Sequence, residues 1–205
     1  MDRKENIVLT ARKHFLRYGY SKTTMEEIAR DCEITKPTLY NYFAGKSELF
    51  RTVIDSEQTA FYNILENSVK DLTSPSDKFY VYAEMQIQSL KKFILLGELT
   101  RQAFLDFHPD VVKVHNQFRA KEEEYLERWL ADGIQRKEFI STDTRFAARV
   151  FYVTIAALKF DALVIRDNQS RDIIGDDEHI TLLSKELRRF VDLFLNGLRR
   201  RESNI

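Results

Sequence analysis

The chain has 205 residues, 43% of them hydrophobic, with only 6 Gly and 3 Pro, so it can bury one large or two small cores and has too few breakers for a strand-and-turn protein. Its 32 basic and 32 acidic side chains cancel, which excludes nucleic-acid binding by bulk charge; any phosphate contact must come from placement. The single cysteine, Cys32, excludes an internal disulfide and a paired-cysteine metal site.

Residues 3–18 set Ile7, Ala11, Phe15 and Tyr18 at three- and four-residue steps, the apolar stripe of a helix, and Gly19 is its stop. Thr24 with Glu27 forms a capping box, so a helix begins there, burying Ile28, Ala29 and Cys32. Thr35 is the next N-cap, and Pro37 is tolerated in a first turn where its missing N–H is not needed. This short helix ends near Phe43. A long pattern then runs from Lys46 to about Leu72. Ser74 and Pro75 open a helix to about Leu96. A shorter segment covers 98–107, followed by a long charged helix over 110–136. Ser141-Thr142-Asp143 caps a helix to about Arg166. The polar stretch 167–177 reads as a loop, and the last helix runs from Asp177 into Arg199-Arg200-Arg201. The N-terminus lacks the apolar run of a leader. No stretch approaches the roughly 18 apolar residues that span a bilayer, and a reducing cytoplasm is the expected setting.

The helices over 24–31 and 35–42 stand about three residues apart, which is helix-turn-helix spacing. Ala11, Phe15, Ile28, Ala29, Ile34, Leu39 and Phe43 can form one small core beneath them. Lys36, Pro37, Thr38, Tyr40 and Asn41 then face outward, and Tyr42 can face either way. One helix fits the major groove, and its N-terminal residues reach base edges. The segment holds no acid between positions 34 and 47, which suits a phosphate-lined groove, although residues 1–55 as a whole carry ten Lys/Arg against eight Asp/Glu.

The stretch TTMEEIARDCEITKPTLYNYFAGKSELF, residues 23–50, resembles the tetracycline-repressor (TetR/AcrR) family. The matching positions are Thr24, Ile28-Ala29, Thr38-Leu39-Tyr40, Tyr42-Phe43, Lys46 and Glu48-Leu49, preceded by Tyr18-Gly19-Tyr20. Two positions depart from the pattern. Glu33 stands where the family commonly has Gly, and a side chain there argues for an altered turn; Pro37 replaces a small residue. The resemblance implies an all-α fold. Residues 1–47 would be a three-helix helix-turn-helix domain, and 48–205 a helical ligand-binding and dimerisation domain. It implies DNA contacts from Thr24, Thr35, Lys36, Thr38, Tyr40, Tyr42 and Lys46, with Pro37 and Asn41 near base edges and Lys46 as a phosphate clamp. It also implies a homodimer on a near-palindromic operator, which matches two recognition helices to two half-sites.

Residues beyond 46 hold no defensible catalytic constellation, metal cluster or cofactor motif, so an enzyme is not expected. His14, His108, His115 and His179 form no ligand pair, and the acids at 122–124 read as a solvated helix face. Phe79, Tyr82, Gln86, Leu90 and Phe93 share one helical face, which is either core packing or one wall of an apolar cavity. By resemblance that region would hold a small apolar or aromatic effector, with Tyr82, Gln86, Phe104, His108 and Phe118 as candidate contacts. The last two helices carry apolar runs: Phe151, Ile155, Leu158 and Ala162 on one, and Leu187, Phe190, Val191, Phe194 and Leu198 on the other. These are the expected dimer interface, as a four-helix bundle. The expected function is a repressor released when ligand binding shifts the 46–72 helix, and the alternative is a DNA-binding regulator or accessory factor without an effector.

Overall fold

The computed structural model describes residues 2–95, 108–162 and 177–199. These residues form eight helices: α1 (Arg3–Lys22), α2 (Met25–Asp31), α3 (Lys36–Tyr42), α4 (Lys46–Val69), α5 (Pro75–Leu95), α6 (Pro109–Gln135), α7 (Thr144–Phe160) and α8 (Asp177–Leu198). They contain no strand, and an isolated antiparallel bridge pairs Phe139 with Arg199. The all-α expectation therefore holds. Each helix start lies within about one residue of its sequence signal, because caps act over three or four residues. Gly19 is non-helical at φ 79°, ψ 165°, and the chain makes one further turn to Lys22 beyond that kink. The expected helix over 98–107, and the stretch between 162 and 177, lie outside the described residues.

The described residues fall into two compact units. The first holds residues 2–62, 92–95 and 108–116, and the second holds 63–91, 117–162 and 177–199. The helix-turn-helix unit thus extends past the expected boundary at residue 47. Its core joins Ile7, Ala11 and Phe15 of α1, Ile28 and Ala29 of α2, Leu39 of α3, and Leu49, Phe50 and Val53 of α4. Val114 of α6 closes it from far along the chain, and Ile34 packs partly buried against it. Phe50 meets Phe15 and Tyr20 edge to face, with ring centroids 5.0 and 4.9 Å apart. Leu39 is the one buried residue of α3. Burying such a side chain contributes about 2 kcal/mol, so it pins the short helix to the unit.

The second unit is built on aromatic rings. Phe79 of α5 meets Phe151 of α7 at 4.9 Å and Trp129 of α6 at 5.7 Å, and Phe151 meets Phe194 of α8 at 4.9 Å. Gly133 lies under the Phe139 ring, where an added Cβ would come within 2.2 Å of it. This packing also engages the residues of the expected dimer surface. Phe151, Ile155, Ala162, Leu187 and Val191 are buried inside the unit, while Leu158, Phe190, Phe194 and Leu198 are half-buried. Both helices are apolar on two faces, and the faces named from the sequence are the ones α7 and α8 turn inward. The outward faces carry Phe146, Val150, Val153 and Phe160 on α7, and Leu182 and Leu193 on α8.

Candidate nucleic-acid interface

Local hydrogen bonds define the geometry of the helix-turn-helix. Thr24 accepts from the Glu27 N–H at 3.2 Å, while the Glu27 carboxylate accepts from the Thr24 backbone N–H at 3.0 Å. The hydrogen bonds from Thr24 hold the Glu27 carboxyl below the usual carboxylate range. The turn closes through the N–H groups of Cys32, Glu33 and Ile34, which donate at 3.0 Å to the carbonyls of Ile28, Arg30 and Ala29. Glu33 sits at φ 55°. The turn therefore keeps the left-handed conformation that favours glycine, contrary to the expectation that Glu33 would alter it; the three backbone bonds hold it there. Thr35 caps α3 by accepting from the Thr38 N–H at 3.3 Å, with Pro37 in the first turn.

With Leu39 inward, α3 presents Thr35, Lys36, Pro37, Tyr40, Asn41 and Tyr42 on its exposed faces, and Thr38 is half-buried. Tyr42 is exposed, so of the two orientations open to it in the sequence the outward one is adopted. α3 has seven residues and carries no acid. Thr24 is exposed at the start of α2, beside this surface in the chain.

The two lysines expected to touch DNA are already engaged. The Lys36 ammonium donates to the Glu26 carboxylate of α2. That bond holds the Glu26 carboxyl below its ordinary range and lifts the lysine above its own. Lys46 donates to the backbone oxygens of Tyr20 and Thr23 at 2.9 and 3.0 Å, and its ammonium lies 4.5 Å from the centre of the Tyr20 ring. It braces the α1–α2 connection as a part-buried cation.

The expected effector residues fall in both units. His108 belongs to the first unit, its ring 4.5 Å from that of Tyr20 and its Nδ1 accepting from the Asp110 N–H. Tyr82, Gln86 and Phe118 belong to the second unit, and Phe104 lies outside the described residues. Tyr82 and Gln86 converge on a group that the acidic run 122–124 had suggested was solvated: Glu122 of α6 is buried. It accepts from the Tyr82 phenol and, at 2.8 Å, from Gln86 Nε2, while Gln86 Oε1 accepts from Lys159 of α7 at 2.7 Å. Burial pushes the Glu122 carboxyl up and the Lys159 ammonium down, and it pushes the nearby Tyr152 phenol up. The signal was present in the spacing. Glu122 follows Val114 and Phe118 at four-residue steps, and Lys159 follows Phe151 and Ile155 in the same way. Each charge therefore lies on its helix's apolar stripe.

A short exposed helix, capped by a threonine and held by two others on a shared core, is the element that enters a major groove. Fold and surface together define a helix-turn-helix DNA-binding transcriptional regulator. Residues 7–53 match the family described as bacterial regulatory proteins, tetR family. Along 204 residues the chain is 24% identical to the HTH-type transcriptional regulator QacR of Staphylococcus aureus, covering 97% of this chain and 99% of that protein. A transcriptional regulator from Cytophaga hutchinsonii superposes with a TM-score of 0.76 at 25% identity, over 96% of this chain and 98% of that one. The FadR regulator of Bacillus subtilis, solved with stearoyl-CoA, superposes at 0.74 and 18% identity, over 94% and 98% of the two chains. Residues 7–53 thus carry the DNA-binding pattern of the tetR family of bacterial regulatory proteins, and the chain as a whole is similar to regulators with that pattern. Among the described residues no helix is long and apolar enough to cross a membrane.

Proposed function

We propose that this regulator is a cytoplasmic repressor that binds a near-palindromic operator as a homodimer and leaves it when a small apolar or aromatic molecule binds the second unit. The observation that carries the reading is the acid-free face of α3, where Thr35, Tyr40, Asn41 and Tyr42 are exposed while Leu39 is fixed beneath them. Hydroxyl, phenol and amide groups of this kind reach phosphates and base edges without adding net charge, as a chain of zero net charge requires.

A dimer is supported by the outward apolar stripe. Phe146 is 65% exposed and Leu193 is 74% exposed, values that ask for cover. An effector is supported by the Glu122–Gln86–Lys159 chain, because buried charges that stability does not require mark candidate binding sites. The stearoyl-CoA held by the Bacillus subtilis relative supports an apolar occupant for a chain of this fold. The α6 helix carries Glu122 in the second unit and Asp110 in the first, and α4 likewise runs through both. A ligand that prefers one arrangement of these helices shifts the DNA-binding equilibrium by that preference.

The test is fluorescence anisotropy on duplexes selected by the protein from a random pool. Selection of two inverted half-sites, loss of binding in Tyr40→Ala and release by a panel of aromatic and acyl compounds are expected. Light scattering is expected to give a dimer that Val153→Glu turns into monomer. Selection of no sequence overturns the DNA reading. Binding that no compound weakens overturns the effector and leaves the regulator without one.

A further inference from the structure

We propose that Glu26 is an internal phosphate mimic: in the free protein it occupies Lys36, the one basic side chain of α3, and so weakens binding to DNA of arbitrary sequence while leaving the operator preferred. The inference rests on α3 being the element that reads the groove.

The pair spans the mouth of the helix-turn-helix. Glu26 lies in the first turn of α2 and Lys36 is the first residue of α3. Both side chains remain about half exposed, at 59% and 49%, and Thr35 and Tyr40, which flank Lys36 on α3, are exposed as well. Among the described residues neither makes another ion pair. The Lys36 ammonium also lies 5.9 Å from the centre of the Tyr40 ring.

Charge explains why the pair forms. A cation in the first turn of a helix is opposed by the helix dipole, and α3 has no acid of its own there. Glu26 supplies the missing anion from α2. A DNA phosphate offers the same charge and the same kind of oxygen acceptors, so one exchanges for the other with little net gain. Exchange also leaves the Glu26 carboxylate facing the phosphates unpaired. Each subunit on a random duplex therefore releases about one counterion fewer than its lysine count implies. Operator binding suffers less, because the hydroxyl, phenol and amide groups of α3 read base edges without needing that ammonium. Discrimination rises because the sequence-independent part of the affinity is the part suppressed.

The experiment measures affinity against salt for wild type, E26Q, K36Q and E26Q/K36Q. The probes are a short random-sequence duplex and the duplex that the wild type selects from a pool. E26Q is expected to bind the random duplex several-fold more tightly at low salt, with a log–log salt slope steeper by about 0.9 per subunit, so that its preference for the selected duplex falls. E26Q/K36Q, lacking both charges, is expected to keep the wild-type slope. An unchanged slope in E26Q overturns the proposal. So does a gain that persists without Lys36, or a slope shallower by about 0.9 in the double variant, which is the signature of a free phosphate-binding lysine. Melting curves of the four proteins separate these outcomes from misfolding, and the slope of the double variant decides the matter if E26Q alone is unstable. Absence of duplex binding by every variant overturns the interface reading as well; altered slopes with intact operator binding bear on Glu26 alone.

Discussion

The phenol of Tyr20 donates a 2.5 Å hydrogen bond to the carboxylate of Asp110, ninety positions later in the chain. The same ring lies against His108 and beneath the Lys46 ammonium, so the start of α6 belongs to the unit that carries α2 and α3. The bond from Tyr20 holds the Asp110 carboxyl below its ordinary range. A carboxylate depressed in the folded state contributes stability that is present above its unfolded pKa, about 3.9, and lost as the pH falls through the folded value. Tyr20→Phe is expected to melt below wild type at pH 7, with the gap narrowing in acid below about pH 4. Thermal melts across that range check it, and a gap independent of pH would assign the loss to packing instead.

Lys46 distinguishes a brace from a clamp. Replacing it by Met removes two charged hydrogen bonds to the carbonyls of Tyr20 and Thr23, an expected loss of about 2 kcal/mol in unfolding free energy. The salt slope of DNA binding is expected to stay at the wild-type value. A slope shallower by about 0.9 per subunit would restore the phosphate contact expected from the family pattern.

In the second unit, Lys159→Met leaves the Glu122 carboxylate buried without its neighbouring cation. Loss of one partner of a buried pair destabilises strongly; because Gln86 lies between the two, about 2 kcal/mol is expected at pH 7. Glu122 has a raised folded pKa, so its native state favours the proton. The variant's stability is therefore highest below the unfolded carboxylate pKa and falls as the pH rises through the folded one. Denaturant titrations at pH 4 and pH 7 should show the deficit only at the higher pH.

Glu33 holds φ 55° in the turn between α2 and α3. A side chain in the left-handed region costs about 1–2 kcal/mol, and glycine returns part of that through the greater entropy it loses on folding. Glu33→Gly is expected to raise stability by about 0.5–1 kcal/mol without changing the selected DNA sequence. A fall in the melting temperature would show that the backbone gains nothing from glycine there.

The helix-turn-helix was legible because its signals are local. Thr24 with Glu27, Thr35 with Thr38, and Leu39 between exposed neighbours act over three or four residues, and a single sequence displays them directly. The second unit was legible only as helices. Phe151, Ile155, Leu187 and Val191 were recognisable as apolar, but α7 and α8 are apolar on two faces, and periodicity does not say which one turns inward. Glu122 read as part of an acidic run, although its step from Phe118 put it on the buried stripe.

By itself the sequence determined the element order, the caps, the short exposed helix from Lys36 to Tyr42 and the family pattern on it. Tertiary structure alone decided where the ends of long polar side chains went: Lys46 to two carbonyls, Lys36 to Glu26, Tyr20 to Asp110, and Lys159 through Gln86 toward Glu122. The physical reason is reach. A cap bonds within its own turn, whereas an ammonium, phenol or carboxylate on a long stem chooses among acceptors brought near by segments ten to ninety residues away.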